Sequence, residues 1–410
     1  MKTVTNIHRT SAKTRQALSL LVVLLMVLFG ALRAAGQSHA CFGSTKQYWV
    51  DGQTGGTPGS SYNWTVNGVT QMTTANEITV IWSSPYTPGS SYTLTVQETS
   101  GAGCVGELKT ETVILDPVPI VTFTPCYNII TSQEAKPFRL KGGLPLGGTY
   151  SCDLPGTYVT NPLPGVYMFD PQVAPLGSVP VNYTYTNAAG CSVTAVGHIQ
   201  NNPAPANFTC GAGNWLDIRD NNKSYPTVSI VTANGTQCWL AENMNYGTRI
   251  QSSQVQSDNC IVEKYCYNND PVNCNGAGGQ PALGGLYQWD ELMSYDNTPG
   301  SQGICPPGWH VPVESEWMDL FNVYGGVGRA SLYLQTPALS GFNALMGGVL
   351  YQNDTWAYKD LSATLFWTST PVSSDPFRVI SHGMNNKDES VSLYESLRSN
   401  AFPVRCLKDN

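Results

Sequence analysis

The sequence predicts a multidomain, mostly β chain, with two tandem all-β sandwiches followed by an α+β domain. Three observations carry this. Apolar residues alternate at period two in two successive stretches, the cysteines of those stretches repeat at matching intervals, and one amphipathic helix stands in the C-terminal half behind a proline-rich loop. The boundaries drawn are a signal peptide over 1–36, a first sandwich over 37–117, a second over 118–200, a linker over 201–209 and a last domain over 210–410.

Met1–Arg15 carries Lys2, Arg9, Lys13 and Arg15 with no acid, and Leu18–Leu32 is almost wholly apolar, the layout of a secretory signal peptide. The apolar run is too short for a comfortable membrane span. Ala34-Ala35-Gly36 offers small residues before a cut, so the mature chain is expected to begin at Gln37 and to hold no membrane span. A lipoprotein anchored through Cys41 is the competing reading, but Ser38-His39-Ala40 lacks the apolar residue expected three places before a lipidated cysteine. Five of the 21 basic residues and none of the 28 acidic ones lie in the leader, which leaves 16 basic residues and a formal charge of −12 on the mature chain. Such a surface disfavours nucleic acid and anionic membranes as partners. Only 12% of residues are charged while Gly, Pro, Thr, Ser, Asn and Tyr abound, a mix that favours short strands and turns. Twelve cysteines on an exported chain read first as disulfides. Zinc needs ligands at short paired spacings, whereas His39, His198, His310 and His382 stand far apart in the sequence, so no metal site is expected.

In the first sandwich Tyr62, Trp64 and Val66, then Ile78, Val80 and Trp82, then Tyr92, Leu94 and Val96 alternate, so one face of each strand is core. Gly55-Gly56-Thr57-Pro58-Gly59 and Pro88-Gly89-Ser90 supply turns. After Leu115-Asp116-Pro117-Val118-Pro119 the pattern returns in Phe138 and Leu140, Tyr167 and Phe169, and Val181, Tyr183 and Tyr185. Cys41 and Cys126 lie 85 apart, Cys104 and Cys191 lie 87 apart, and the run Tyr92–Val96 leading to Gly103-Cys104 is echoed by Tyr183–Thr186 leading to Gly190-Cys191. Each module is therefore expected to close on its own bridge, Cys41–Cys104 and Cys126–Cys191. The two modules resemble the PKD-like and other immunoglobulin-like repeats of surface and secreted proteins of the Bacteroidota, the second through Leu140-Lys141-Gly142-Gly143-Leu144-Pro145-Leu146-Gly147-Gly148-Thr149-Tyr150-Ser151. Cys152 stands where that family more often has Gly. It leaves an odd cysteine, for which Cys210, across the linker Asn201-Asn202-Pro203-Ala204-Pro205-Ala206, is a candidate partner.

The last domain is organised round Cys305-Pro306-Pro307-Gly308-Trp309-His310-Val311-Pro312. Prolines restrict the approach, and Val313, Trp317, Leu320, Phe321 and Tyr324 then fall on one helical stripe, which predicts a helix over 313–324. Glu314 and Glu316 in its first turn suit the positive end of the helix dipole, and Gly325-Gly326 ends it. Residues two apart on a helix do not face each other, so these carboxylates read as a solvated face rather than as an acid and base pair.

From Cys210 onward the landmarks Asp217-Ile218-Arg219-Asp220, Gly235–Tyr246, Tyr265–Asp270, Gly285–Trp289, the Cys305 stretch, Gly341–Gly348, Phe366–Thr370 and Val404–Lys408 follow in order. This series resembles the FISUMP (major paralogous) domain of Bacteroidota and Fibrobacter surface proteins. Val313 departs from it, since the family usually places Ser or Thr there as a helix cap worth about 1 kcal/mol. Gly308–Trp317 and the ending on Arg405-Cys406 also resemble the formylglycine-generating-enzyme group of C-type-lectin-like folds. That resemblance implies one or two helices packed on twisted, irregular β-hairpins, with Cys305–Cys406 tying the start of the helix to the last strand and Cys266–Cys274 as a second bridge. Cys238 and Cys260 are then left for each other. The fold class expected is thus multidomain, two tandem all-β immunoglobulin-like sandwiches followed by an α+β C-type-lectin-like domain.

The sequence holds no Gly-x-Ser-x-Gly elbow, no His-Glu-x-x-His and no Walker loop, and the cysteines aligned with the family read as structural, so no enzyme is expected. No cofactor is expected either. Calcium is the alternative, through Asn268, Asn269, Asp270 and Asn273 or through Asn353-Asp354, but neither stretch has the acid count of a calcium loop and both suit turns. The first binding candidate is Tyr351, Trp356, Tyr358, Phe366 and Trp367 interleaved with Asn353, Asp354, Lys359 and Asp360, because sugars stack on aromatic rings while amides and carboxylates fix their hydroxyls. Phe366 and Trp367 belong to a landmark and read as core. The second candidate is the unpatterned stretch from Thr370 to Phe402, with Asn385, Asn386, Tyr394 and Arg398; the C-type-lectin-like resemblance implies that it faces the ligand. The function expected is an exported, non-enzymatic binding or adhesion protein that recognises a glycan or protein ligand at the cell surface, with the medium and the periplasm left open. The alternative is a structural component of a surface filament or envelope assembly, self-associating through the sandwiches.

Overall fold

A computed structural model of the chain describes residues 29–31, 36–50, 57–153, 158–335, 340–358 and 362–409. They form two compact units, Met1–Val118 with Asn187–Cys191, and Pro119–Thr186 with Ser192–Asn410. Both are mostly β. Apart from Phe29–Ala31 and Gly36, the expected signal peptide lies outside the described residues, as do Lys359 and Asp360.

The first unit faces a five-stranded sheet, ordered Gly36–Cys41, Lys109–Asp116, Ser91–Thr99, Ser61–Val66 and Val69–Thr73, with a three-stranded sheet of Phe29–Ala31, Thr45–Trp49 and Glu77–Ile81. The alternation read from the sequence sets the inner faces. Trp64, Val80, Trp82, Leu94 and Val96 are buried, and the Trp82 indole donates to the Tyr48 hydroxyl at 3.0 Å, so the one polar atom of that ring is satisfied inside the core.

The expected bridge Cys41–Cys104 does not form, for a geometric reason. Cys41 pairs with Asp116 at the sheet end where Ser91 begins its strand, whereas Cys104 follows Thr99 at the opposite end. Nine residues of strand span roughly 27 Å, far beyond the about 6 Å between the Cα atoms of a disulfide. Cys104 is exposed in a turn and forms no disulfide, and Cys41 bonds to Cys191 with Cα atoms 5.6 Å apart. The 85- and 87-residue spacings therefore do not mark a repeated internal bridge.

In the second unit a sandwich pairs the sheet Ile130–Ser132, Ser192–Asn202, Gly177–Thr186 and Thr149–Ser151 with the sheet Phe138–Arg139, Val166–Phe169 and Val159–Leu163, over a core that includes Phe138, Phe169, Val181 and Tyr183. Cys126 does not bond to Cys191. That cysteine lies at a hairpin tip, six residues or about 20 Å along the strand from Gly197, against which Phe123 and Pro125 pack. Cys126 bonds instead to Cys260 of the C-terminal domain. Round this bridge Lys408 pairs with Glu134 (2.9 Å), Lys136 with Asp409 (2.6 Å), Lys141 with Asp258 (3.1 Å), and the Tyr127 hydroxyl donates to Asp258 (2.8 Å). Sandwich and C-terminal domain thus make one body.

The C-terminal domain packs short helices α1 (Pro271–Asn275), α2 (Trp289–Leu292), α3 (Glu314–Val323) and α4 (Ala330–Leu334) with sheets of five, four, three and two strands. Trp317, Leu320 and Phe321 bury the stripe of α3 beside Trp239, Phe342 and Phe366. Cys305–Cys406 joins the loop before Trp309–His310 to the last strand, Leu407–Lys408, with His310 opposite Leu407. Cys266–Cys274 ties the segment before α1 to the last turn of α1, and Cys210 bonds to Cys238. The expected pairs Cys152–Cys210 and Cys238–Cys260 are therefore not formed. Cys210 lies in the turn before the strand Asn214–Asp217 with its sulfur on the Val228 carbonyl, and the next residue, Ser229, is opposite Cys238, which brings the two cysteines together.

Candidate functional site

The first turn of α3 differs from the solvated face read in the sequence. Val313 has no side-chain acceptor, and the Thr370 hydroxyl accepts from the Glu314 N–H at 2.9 Å, so the cap missing from the chain locally is supplied by another strand. Glu316 accepts from the Val313 N–H at 2.8 Å and also bonds to His310 Nε2 at 3.0 Å, while Glu314 bonds to His382 Nε2 at 2.6 Å. Both histidines are buried. His310 Nδ1 meets Asp409 at 2.7 Å; burial lowers its proton affinity, but Asp409 and Glu316 outweigh burial and raise it.

The candidate ligand residues fall into three places. Tyr351, Tyr358 and Tyr394 converge: burial first, then the hydrogen bond that the Tyr351 hydroxyl donates to Tyr358 and the nearby Tyr394, push the Tyr351 hydroxyl up to about 12. Trp356 stands edge-on to Tyr267 at 5.3 Å and packs on an apolar cluster, which makes it half-buried filler rather than an open platform. Asn353 and Asp354 form the exposed turn of the hairpin Val349–Tyr351 and Thr355–Ala357, with Asp354 at φ 59°. Asn385 ends the strand Arg378–Asn385 and Asn386 opens the turn after it, where Asn385 accepts from the Lys387 N–H at 2.9 Å. The Asn268–Asn273 stretch is committed locally: Asp270 caps α1 through the Val272 N–H, Asn269 bonds to Ser252, and Asn273 donates to the Tyr267 carbonyl.

Arg398 lines a pocket of about 400 Å³ with Gln288, Asp290, Glu291, Gln352 and Phe377. Its guanidinium lies over the Trp289 ring at 4.1 Å and donates to Asp290 at 3.2 Å and Asn297 at 2.8 Å. Stacking and pairing hold it in one orientation. Phe377 is 72% exposed at the rim. On the inner wall Glu291 is buried and accepts from the Glu263 N–H and the Tyr295 hydroxyl; burial dominates and raises its carboxyl to about 7. The pocket therefore offers fixed donors, fixed acceptors and one bare aromatic ring. Of these, sequence reading found Arg398 alone. The available signals were Phe377, a lone aromatic in the polar run Ser373-Ser374-Asp375-Pro376-Phe377, and the acids Asp290-Glu291 directly after Trp289.

Residues 233–408 match the family model of the Fibrobacter succinogenes major domain, in agreement with the landmark series. No curated protein matches the chain. Among solved structures, the chain is similar to a Ca²⁺-stabilised adhesin that helps an Antarctic bacterium reach out and bind ice, at 16% identity over 44% of this chain and 54% of that one, with a TM-score of 0.22. It is also similar to fibronectin(III)-like modules of Clostridium thermocellum CbhA, at 10% identity over 41% of this chain and 90% of that one, with a TM-score of 0.23. Titin domains I67–I69 match at 15% identity over 45% of this chain and 66% of theirs, with a TM-score of 0.20. The match spans about half the length of the adhesin. No helix among the described residues is long and apolar enough to cross a membrane, which says nothing of β-barrels.

Proposed function

We propose that the chain is an exported, non-enzymatic binding protein of adhesion type, cleaved before Gln37, whose C-type-lectin-like C-terminal domain takes a polyhydroxylated ligand, a glycan, in the Arg398 pocket. One observation supports this above others: an exposed Phe377 ring stands beside a guanidinium held flat on Trp289 and beside the Asp290 carboxylate. A pyranose stacks its C–H face on such a ring and shares its hydroxyls between donor and acceptor. Five disulfides fit an oxidising compartment. Glycan-array binding of the mature chain should be lost in Phe377→Ala and Arg398→Ala while both variants keep the wild-type melting profile. Equal binding by the variants and the wild type would refute the site.

A second reading, a structural component that self-associates, draws on the edge strand Val69–Thr73, where Val69 and Met72 are 73% and 71% exposed. Exposed apolar edges template strand addition. Sedimentation of the mature chain should then show oligomers that Met72→Lys dissolves; a concentration-independent monomer rules the reading out.

A further inference from the structure

A second cleft, of about 630 Å³, opens inside the second unit between the loop Leu140–Tyr150 of the sandwich and Asp258–Cys260 of the C-terminal domain. Its aromatic wall is a train of tyrosines, Tyr150 lying 4.8 Å from Tyr183 and 5.4 Å from Tyr167 between ring centroids. Two hydroxyls are already used. Tyr150 accepts from the Gly143 N–H at 3.0 Å, and Tyr183 accepts from the Gly148 N–H at 2.8 Å and donates to the Pro145 carbonyl. The loop lies directly on Tyr183, since a Cβ at Gly143 or Gly148 would come within 2.4 or 2.5 Å of that ring. The half-buried Tyr150 and Tyr167 are left to offer apolar ring surface to the cleft.

Charge at the rim is unevenly satisfied. Lys141 is spent on Asp258 and on the carbonyls of Ser294 and Tyr295, and Asn259 is spent on Glu263 and the Ile261 N–H. Arg139, close enough to Tyr150 to act on its hydroxyl, is exposed and makes no ion pair among the described residues. We infer that this cleft binds the carboxylate-bearing residue of an acidic glycan, a hexuronate, with Tyr150 and Tyr167 as stacking surface and Arg139 as carboxylate clamp. Stacking uses the C–H face of the sugar, and a guanidinium pairs a carboxylate through two parallel hydrogen bonds. An extended peptide fits less well, because strand addition needs free backbone N–H groups and the tyrosine hydroxyls occupy those of Gly143 and Gly148.

The site is built from both parts of the unit and is separate from the Arg398 pocket, so each can fail alone. The test is calorimetric titration of the mature chain with tetramers of galacturonate, glucuronate and mannuronate, and with the methyl-esterified tetramer of each, in which an uncharged methyl ester replaces every carboxylate. At least one acid tetramer should bind. Esterification, Arg139→Gln and Tyr167→Ala should each weaken that binding tenfold or more, and Arg398→Ala should leave it unchanged. Absence of binding to all three acids overturns the inference, as does equal affinity for the ester or for the folded Arg139→Gln variant.

Discussion

Glu291 and His310 tie the stability of the second unit to pH in separable ways. The Glu291 carboxyl titrates at 4.5 when exposed and at about 7 in the fold, so between these values the unfolded chain sheds its proton first. Stability therefore falls as pH rises through that window, by about 3 kcal/mol on full titration, and is flat above it. Urea melts of Glu291→Gln should lack that decline. For His310 the proton affinity is raised in the fold, so its contribution is complete below about pH 6.5 and is lost as pH rises through the folded value. His310→Asn should then cost more stability at about pH 5.5 than at about pH 8.5; an equal cost would show that the imidazole is held neutral. Sequence reading singled out His310, Glu314 and Glu316, did not single out Glu291, and missed the partners of all four. Glu316 and His310 are six apart, but Asp409 is 99 residues from His310 and Glu314 is 68 from His382, and no local pattern reports contacts of that kind.

At the scale of elements, periodicity was the reliable signal. The stripe Trp317, Leu320 and Phe321 and the alternations round Trp64, Trp82 and Leu94 are buried as read, because each pattern has to match the geometry of its own element. Trp356 and Tyr358 were harder, because an aromatic in a short hairpin is equally suited to a rim or to filling a gap; for Trp356 the choice rests on Tyr267, some 90 residues away in sequence, while Tyr358 packs on a different apolar cluster. The cap of α3 is a further case. Thr370→Val should destabilise the second unit by about 1 kcal/mol, since it orphans the Glu314 N–H. Placing Thr at position 313 in the same variant should restore most of the loss. No recovery would mean that Thr370 acts through packing rather than as a cap.

For the whole molecule the cysteines decide the architecture, and here sequence spacing misled. Equal intervals suggested two self-contained modules, whereas strand register puts Cys41 and Cys104 at opposite ends of one sheet and leaves Cys126 to bond into the C-terminal domain. Cys305–Cys406 closes a loop of 101 residues, for which the chain-entropy contribution is about 4–5 kcal/mol. Because the second sandwich shares ion pairs and a disulfide with this domain, Cys406→Ser should lower the melting of the entire second unit and leave the transition of the first unit in place.

The central structural claim is that the second sandwich and the C-terminal domain are one covalently tied body, and non-reducing peptide mapping of the oxidised protein tests it most directly. The map should recover Cys126 joined to Cys260, together with Cys41–Cys191 and Cys305–Cys406. Recovery of Cys126 joined to Cys191, or of Cys41 joined to Cys104, would contradict it.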